Sequence, residues 1–152
     1  MFELDNKVPA VTGASSGIGR DAALAYAMAG ADVCMLARRE ERLQELQTEI
    51  EKLGRRALAI PCDVTDEECI KGAVEKIIDT FGRIDILLNN AGIAVSGGLE
   101  DTTVEEWDRS FSVNCRGQFL VSKYVVPHMI KQRYGKVVNM ASVNAIIGDK
   151  HE

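Results

Sequence analysis

Aromatic side chains make up only 5% of the 152 residues, with a single tryptophan, and no run of basic residues occurs anywhere. Stacking platforms and cationic stripes, the devices by which proteins grip nucleic acid, therefore have little to be built from. Acids outnumber bases, 23 to 18, and the net charge of -5 argues against nucleic acid and anionic membrane as partners. No stretch approaches the roughly 18 consecutive apolar residues of a membrane span. Phe2 to Lys7 lacks the apolar core of a secretion signal, so a cytoplasmic location is expected. Histidine is scarce, with only His128 and His151, and the four cysteines show no C-x-x-C spacing, so no metal site is legible. Three of the cysteines (Cys34, Cys62, Cys69, Cys115) sit in apolar or strand-like surroundings, and we expect small buried hydrophobes in a reducing compartment. What remains, 46% hydrophobic and 27% charged, is ordinary globular composition for one domain over residues 1–152.

Glycine, by contrast, is present where it carries information. Thr12-Gly13-Ala14-Ser15-Ser16-Gly17-Ile18-Gly19 follows a short apolar run (Val8, Ala10, Val11) and precedes an alanine-rich segment ending at Gly30. A strand, a glycine turn and a helix start in that order make a phosphate cradle. Unpaired N–H groups and the positive end of the helix dipole favour an anion, and residues without side chains admit it closely. The plainer alternative is a tight turn with helix-capping serines. The spacing G-x-x-x-G-x-G is neither the commonest dinucleotide fingerprint nor a nucleotide-triphosphate loop, which needs a following Lys-Ser or Lys-Thr.

Apolar runs of strand character recur at Val8 to Val11, Val33 to Ala37, Ala57 to Ile60, Ile84 to Leu88 and Lys136 to Met140. Helical segments alternate with them. Leu43, Leu46, Ile50 and Leu53 mark one face of a helix stopped at Gly54. Thr65-Asp66-Glu67-Glu68 opens another that closes at Gly82, and Thr102 or Thr103 caps a long one reaching about Arg133, with Pro127 as a site for a kink. These five β-α repeats predict an α/β fold: a Rossmann-like doubly wound parallel sheet with helices on both faces. Ligands in such sheets bind beyond the carboxyl ends of the strands, where Gly13 to Gly19, Ala37 to Arg39, Asp63, Asn89 to Gly92 and Ser142 all fall. Pro9 fits badly, because a central strand loses a ladder bond at proline.

The second strand ends in Arg38-Arg39, where an NAD site would place an acid for the ribose 2′-hydroxyl. Two guanidiniums suit a 2′-phosphate instead, which favours NADP(H) while leaving NAD(H) possible. The alternative is a solvated, charged helix start.

Thr12-Gly13-x-x-x-Gly17-x-Gly19 resembles the short-chain dehydrogenase/reductase family, and further motifs follow in the right order along nearly the whole chain. The resemblance implies hydride transfer between a nicotinamide coenzyme and a small alcohol or carbonyl substrate. It implies coenzyme contacts for Thr12, Gly13, Ser15, Ser16, Gly17, Ile18 and Gly19, with Arg38 ahead of Arg39 as the phosphate ligand. Asp63-Val64 is similar to the pair that holds the adenine, although a capping role for Asp63 or Thr65 is a fair rival. Asn89-Asn90-Ala91-Gly92 resembles the family's N-N-A-G, in which the asparagines tie strand ends together and small residues admit the coenzyme. Asn114, an unfavourable residue inside a helix, resembles the asparagine of the proton relay. Ser142, at the end of the fifth strand, matches the catalytic serine that polarises the substrate oxygen.

The family's Tyr-x-x-x-Lys belongs shortly after that serine and has no counterpart here. Tyr26, Tyr124 and Tyr134 are followed four places later by Gly30, His128 and Val138. We therefore expect a cofactor-binding domain truncated at its C-terminus, inactive alone, whose fifth strand presents an unpaired edge. The full-length parent is expected to be a homo-oligomer, pairing through the long helix. A non-catalytic dinucleotide-binding module and an inactive fragment are the alternatives.

Overall fold

The computed structural model describes residues 3–95 and 97–143. Five strands form one parallel sheet: β1 (Pro9–Thr12), β2 (Val33–Ala37), β3 (Ala57–Pro61), β4 (Ile86–Asn89) and β5 (Lys136–Asn139), in the order β3-β2-β1-β4-β5. The chain runs outward from β1 in one direction, then returns to pair β4 on its other side. The loops after β1 and β4 thus part from each other at the point where the strand order reverses, which opens a crevice at the carboxyl edge.

The helices are α1 (Gly17–Met28), α2 (Glu40–Lys52), α3 (Glu67–Phe81), α4 (Val104–Phe111) and α5 (Gly117–Lys131). They divide between the faces as the alternation of strand side chains requires. Val11, Val33, Met35 and Leu88 meet Ala23 and Ala27 of α1 and Leu43, Leu46 and Ile50 of α2. Ala10, Cys34, Leu36, Ile60 and Leu87 meet Ile70, Val74 and Ile77 of α3 and Leu120, Val121 and Val125 of α5. Alanines on α1 let that helix lie close to the sheet, which places the start of α1 directly beyond β1. Asp66 rather than Thr65 caps α3, accepting from the Cys69 amide at 3.0 Å. Thr103 and Glu106 form a reciprocal capping box at the start of α4.

Three expectations need correction. The single long helix over 103–133 is interrupted by a π-helical turn at Ser112–Arg116, a widening that the apolar period of the sequence does not encode. Of the cysteines, Cys34 and Cys62 are buried, but Cys69 is only partly covered and Cys115 is exposed. The last two sit on a helix's first turn and on the π turn, where the sheet does not cover them. Pro9, finally, is the first residue of β1: it stands opposite Ile86 of β4, whereas pairing with β2 begins at Ala10 opposite Cys34. Proline is tolerated at a strand's first position.

The base of β1 is held by Asp85. This carboxylate is completely buried, accepts from the Val8 amide at 2.9 Å, and takes two hydrogen bonds from the Arg83 guanidinium. At the far side all four residues of β5 are exposed, Val137 and Val138 among them.

Candidate functional site

At the carboxyl edge of the sheet lies a cavity of about 390 Å³. Its wall is assembled from the loops after β1, β2, β3 and β4: Gly13, Ser15 and Ser16; Arg38 and Arg39; Asp63 and Val64; Asn90, Ala91 and Gly92. The structure adds Leu36, Cys62, Ile93 and Val113, which the sequence motifs do not single out. Among the described residues the wall includes neither Asn114 nor Ser142.

The glycine loop owes its shape to two residues with positive φ, Gly13 at 68° and Gly17 at 54°. Gly13 must also be small. A Cβ there would come within 2.8 Å of the Ala91 Cα and 2.9 Å of the Asn90 amide nitrogen. At Gly17 a Cβ would meet nothing within 4 Å, so the loop is open on that side, beside the first turn of α1. Ser16 occupies the N-cap position of α1, yet its hydroxyl makes no capping bond. It receives the Arg39 guanidinium at 2.6 Å, and Ser15 receives the same group at 3.0 Å. The capping-serine alternative is therefore not what the side chains do. An open, donor-rich helix start with a positive φ glycine fits a diphosphate.

Thr12 is the keystone between the two inner loops. Its hydroxyl accepts from the amides of Asn90 and Ala91, both at 3.0 Å, and reaches the Leu88 carbonyl at 3.4 Å. Asn90 answers with its side-chain amide, donating to the Thr12 carbonyl at 3.0 Å and the Gly13 carbonyl at 3.4 Å. Gly19 packs against the same Asn90 side chain. Its neighbour Ile18 is largely exposed. One strand over, the buried Asn89 donates to Asn139 of β5 at 2.8 Å and to Ser122 of α5 at 3.0 Å. The asparagines thus tie three strand ends into one rim.

Asp63 serves the backbone first. Its carboxylate accepts from the Thr65 amide at 2.9 Å and the Thr65 hydroxyl at 2.8 Å, closing the turn that leads to α3. Burial pushes its carboxyl up, but the Thr65 bonds and the positive charge of Arg38 outweigh this and hold it below the ordinary carboxylate range. Arg38 and Asp63 both belong to the cavity wall, where the Arg38 charge favours the ionised carboxylate, while Arg39 is hydrogen-bonded to the serines of the glycine loop.

Asn114 lies in the π turn and reaches back to the loop after β4. Its side-chain oxygen accepts from the Ile93 amide, and its nitrogen donates to the Ile93 carbonyl, each at 2.9 Å. The second N–H goes to Ser110 at 3.2 Å. Both donors of Asn114 are therefore committed to holding the wall. Ser142, exposed, follows β5 by three residues, in the stretch where Gln118 donates to the Met140 carbonyl at 3.0 Å. Among the described residues no group of three metal-ligating side chains occurs, and no helix is long and apolar enough to cross a membrane. His151 lies outside the described residues.

Comparison with known proteins agrees with this geometry. The family model described as short chain dehydrogenase matches residues 7–151. The chain is 43% identical over 148 residues to the 3-oxoacyl-acyl-carrier-protein reductase FabG of Thermotoga maritima, covering 97% of this chain and 60% of that protein. Among solved structures, an NAD+-bound xylitol dehydrogenase is 35% identical with a TM-score of 0.93, covering 97% of this chain and 57% of the other. A metagenomic short-chain oxidoreductase in complex with NADP is 34% identical with a TM-score of 0.87, covering 92% and 64%. The chain thus spans about 60% of the length of the relative it matches.

Proposed function

This chain belongs to the short-chain dehydrogenase family, and from that premise we propose that it forms the coenzyme-binding part of an NAD(P)-dependent oxidoreductase that prefers NADP(H). The observation that carries the reading is the convergence of four strand-end loops on one cavity that combines an open helix start, two guanidiniums and a carboxylate-closed turn. In this reading the backbone of Gly13 to Gly19, with the Ser15 and Ser16 hydroxyls, binds the diphosphate. Arg38 and Arg39 bind a ribose 2′-phosphate through forked, charge-assisted bonds. Asp63 and Val64 meet the adenine, and Asn90, Ala91 and Gly92 line the path toward the reacting ring, braced by Thr12. A nicotinamide coenzyme supplies the hydride.

For the reaction itself we assign Ser142 to hydrogen-bond the oxygen of a small alcohol or carbonyl, and Asn114 to hold the loop that borders it. Moving the proton on that oxygen requires a positioned acid or base. No tyrosine of the sequence has a lysine four places later, so the 152-residue chain is expected to bind coenzyme without turnover. We place it in the cytoplasm, in line with its lack of a membrane-spanning helix among the described residues. Self-association of the whole enzyme is supported by the exposed Trp107 and Phe111, stacked at 4.6 Å on α4, with Phe119 exposed on α5. The exposed β5 favours a second reading, a non-catalytic module that docks its open edge on another chain.

The test is calorimetric titration of the folded chain with NADPH and with NADH. We expect saturable uptake of both, tighter for NADPH by about tenfold, the worth of one well-formed charged contact. Folded protein that takes up neither coenzyme would defeat the proposal, and equal affinities would remove its NADP preference.

A further inference from the structure

The π turn at Ser112–Arg116 and the first residue of α5 touch the cavity from two of its loops. Val113 lines the cavity itself, and Asn114 holds the Ile93 peptide in the loop after β4. Two residues on, the Arg116 guanidinium donates to the Thr65 carbonyl at 3.0 Å, in the loop after β3. Gly117 then packs on Val64 of the same loop: a Cβ there would stand 2.9 Å from the Val64 Cγ2 and 3.3 Å from its carbonyl oxygen. The backbone of Gly117 is ordinary right-handed helix, so what this glycine supplies is room for Val64.

The turn after β3 makes its own shape. The Thr65 amide and hydroxyl both donate to Oδ1 of Asp63, and the Asp66 amide donates to the Asp63 carbonyl at 3.1 Å. Its tie to the loop after β4 runs through the π turn, which is spent on Ile93 at one end and on Val64 and Thr65 at the other. Further along α5, Lys123 and Tyr124 donate to the Glu67 carboxylate at 2.7 and 2.9 Å, so the start of α3 stays docked even without Arg116, an exposed side chain. Single π turns recur at functional sites.

We infer that Arg116 is a positioning residue for the adenine of the coenzyme, acting through the Thr65 carbonyl, and that the π turn is a strut between the two loops it touches. The inference rests on the coenzyme reading. Both Thr65 bonds end on Oδ1 of Asp63, so Oδ2 is the oxygen that accepts from the exocyclic amine of adenine. Its place is set by the backbone of residues 63–65, and Arg116 holds that backbone from a separate element. Without the guanidinium the turn keeps its internal bonds but loses a fixed point, and the acceptor loses register with the base.

The experiment compares NADPH with its analogue carrying hypoxanthine in place of adenine, in which a carbonyl oxygen stands where the amine was. An acceptor held in place tells the two apart, and a displaced one does not. By calorimetry the parent chain is expected to bind NADPH about tenfold more tightly than the analogue, and Arg116→Ala to narrow that ratio to about threefold or less by weakening NADPH alone. Arg116→Lys keeps a charged donor and should restore the ratio. In the coenzyme-free chain, hydrogen exchange of the Thr65 amide, followed by NMR, should quicken about fivefold in Arg116→Ala. A parent that binds both compounds equally, a ratio unchanged in folded Arg116→Ala, an equal loss for both compounds, or unaltered Thr65 exchange each overturns the inference. A parent that takes up neither compound overturns the coenzyme reading and the adenine role with it, and quickened Thr65 exchange would then still show the strut.

Discussion

The side-chain amide of Asn114 pairs with the peptide group of Ile93 at both ends, accepting from its N–H and donating to its carbonyl, each at 2.9 Å. It copies the two-point pairing of neighbouring strands, and so fastens the π turn to the loop after β4. Asn114→Asp keeps the shape but turns the donor into an acceptor facing the Ile93 carbonyl. We expect a loss of about 1–3 kcal/mol, read as a lower Tm in thermal unfolding, with Asn114→Ala at the lower end of that range.

The guanidinium of Arg39 rests on Ser15 and Ser16, whereas the Arg38 charge acts on Asp63, so the two arginines are expected to differ when removed one at a time. Arg39→Ala should weaken NADPH about tenfold while leaving NADH within about threefold, since only the phosphorylated coenzyme needs the charge. Arg38→Ala should also release the Asp63 carboxyl from its positive neighbour. Titration of both variants with both coenzymes checks the assignment. A uniform loss across NADPH and NADH would point instead to a role of Arg39 in shaping the loop.

Two glycines of one loop should respond very unequally to the same change. Gly13→Ala drives a methyl into Ala91 and Asn90, and its Tm is expected to fall by many degrees or the chain to fail to fold. Gly17→Ala has open space and carries only the penalty of a positive φ, about 1–2 kcal/mol. Circular dichroism should find it folded, and calorimetry should find its coenzyme uptake reduced, because the new methyl stands beside the open helix start.

Acid stability should depend on Asp32. Burial pushes its carboxyl up, but hydrogen bonds from the backbone and side chain of Arg56 and the charges of Arg56 and Arg55 prevail and hold it below the ordinary value of about 3.9. A carboxyl depressed by folding contributes its stability fully above the unfolded value and loses it as pH falls through the folded one. Asp32→Asn is therefore expected to lower Tm at neutral pH, with the gap from the parent closing as pH drops below about 4. A gap that stays constant with pH would show that the pairing adds nothing.

Removing Asp85 should also be costly. Its carboxylate is fully buried between the Val8 amide and the Arg83 guanidinium. Asp85→Ala leaves an amide and a charge without their acceptor, and we expect a loss of about 3–5 kcal/mol in urea unfolding.

Much of the site is local in origin, which is why it is readable in the chain. Gly13 and Gly17, the arginines at the end of β2, and Asn90-Ala91-Gly92 after β4 each follow an apolar run, and in a parallel sheet all such ends share one edge. The division of the core follows likewise, because Leu43, Leu46 and Ile50 recur at the helical period and the strands carry apolar residues on both sides. Contacts between distant segments were not readable in the same way. No period announces that Ser112–Arg116 widens into a π turn, that Asn114 spends its amide on Ile93, or that Asp85 stands in for a strand partner of Val8.

Element order, the parallel sheet and the residues at its carboxyl edge are thus properties of the linear chain, since they arise from spacing and from residues that allow or forbid a backbone conformation. Which arginine rests on the loop serines, whether Asp63 caps its own turn, and that Asn114 pairs with Ile93 were decided only on folding. Each of those depends on a distance between side chains on separate elements, and such distances exist only once the sheet and helices have packed.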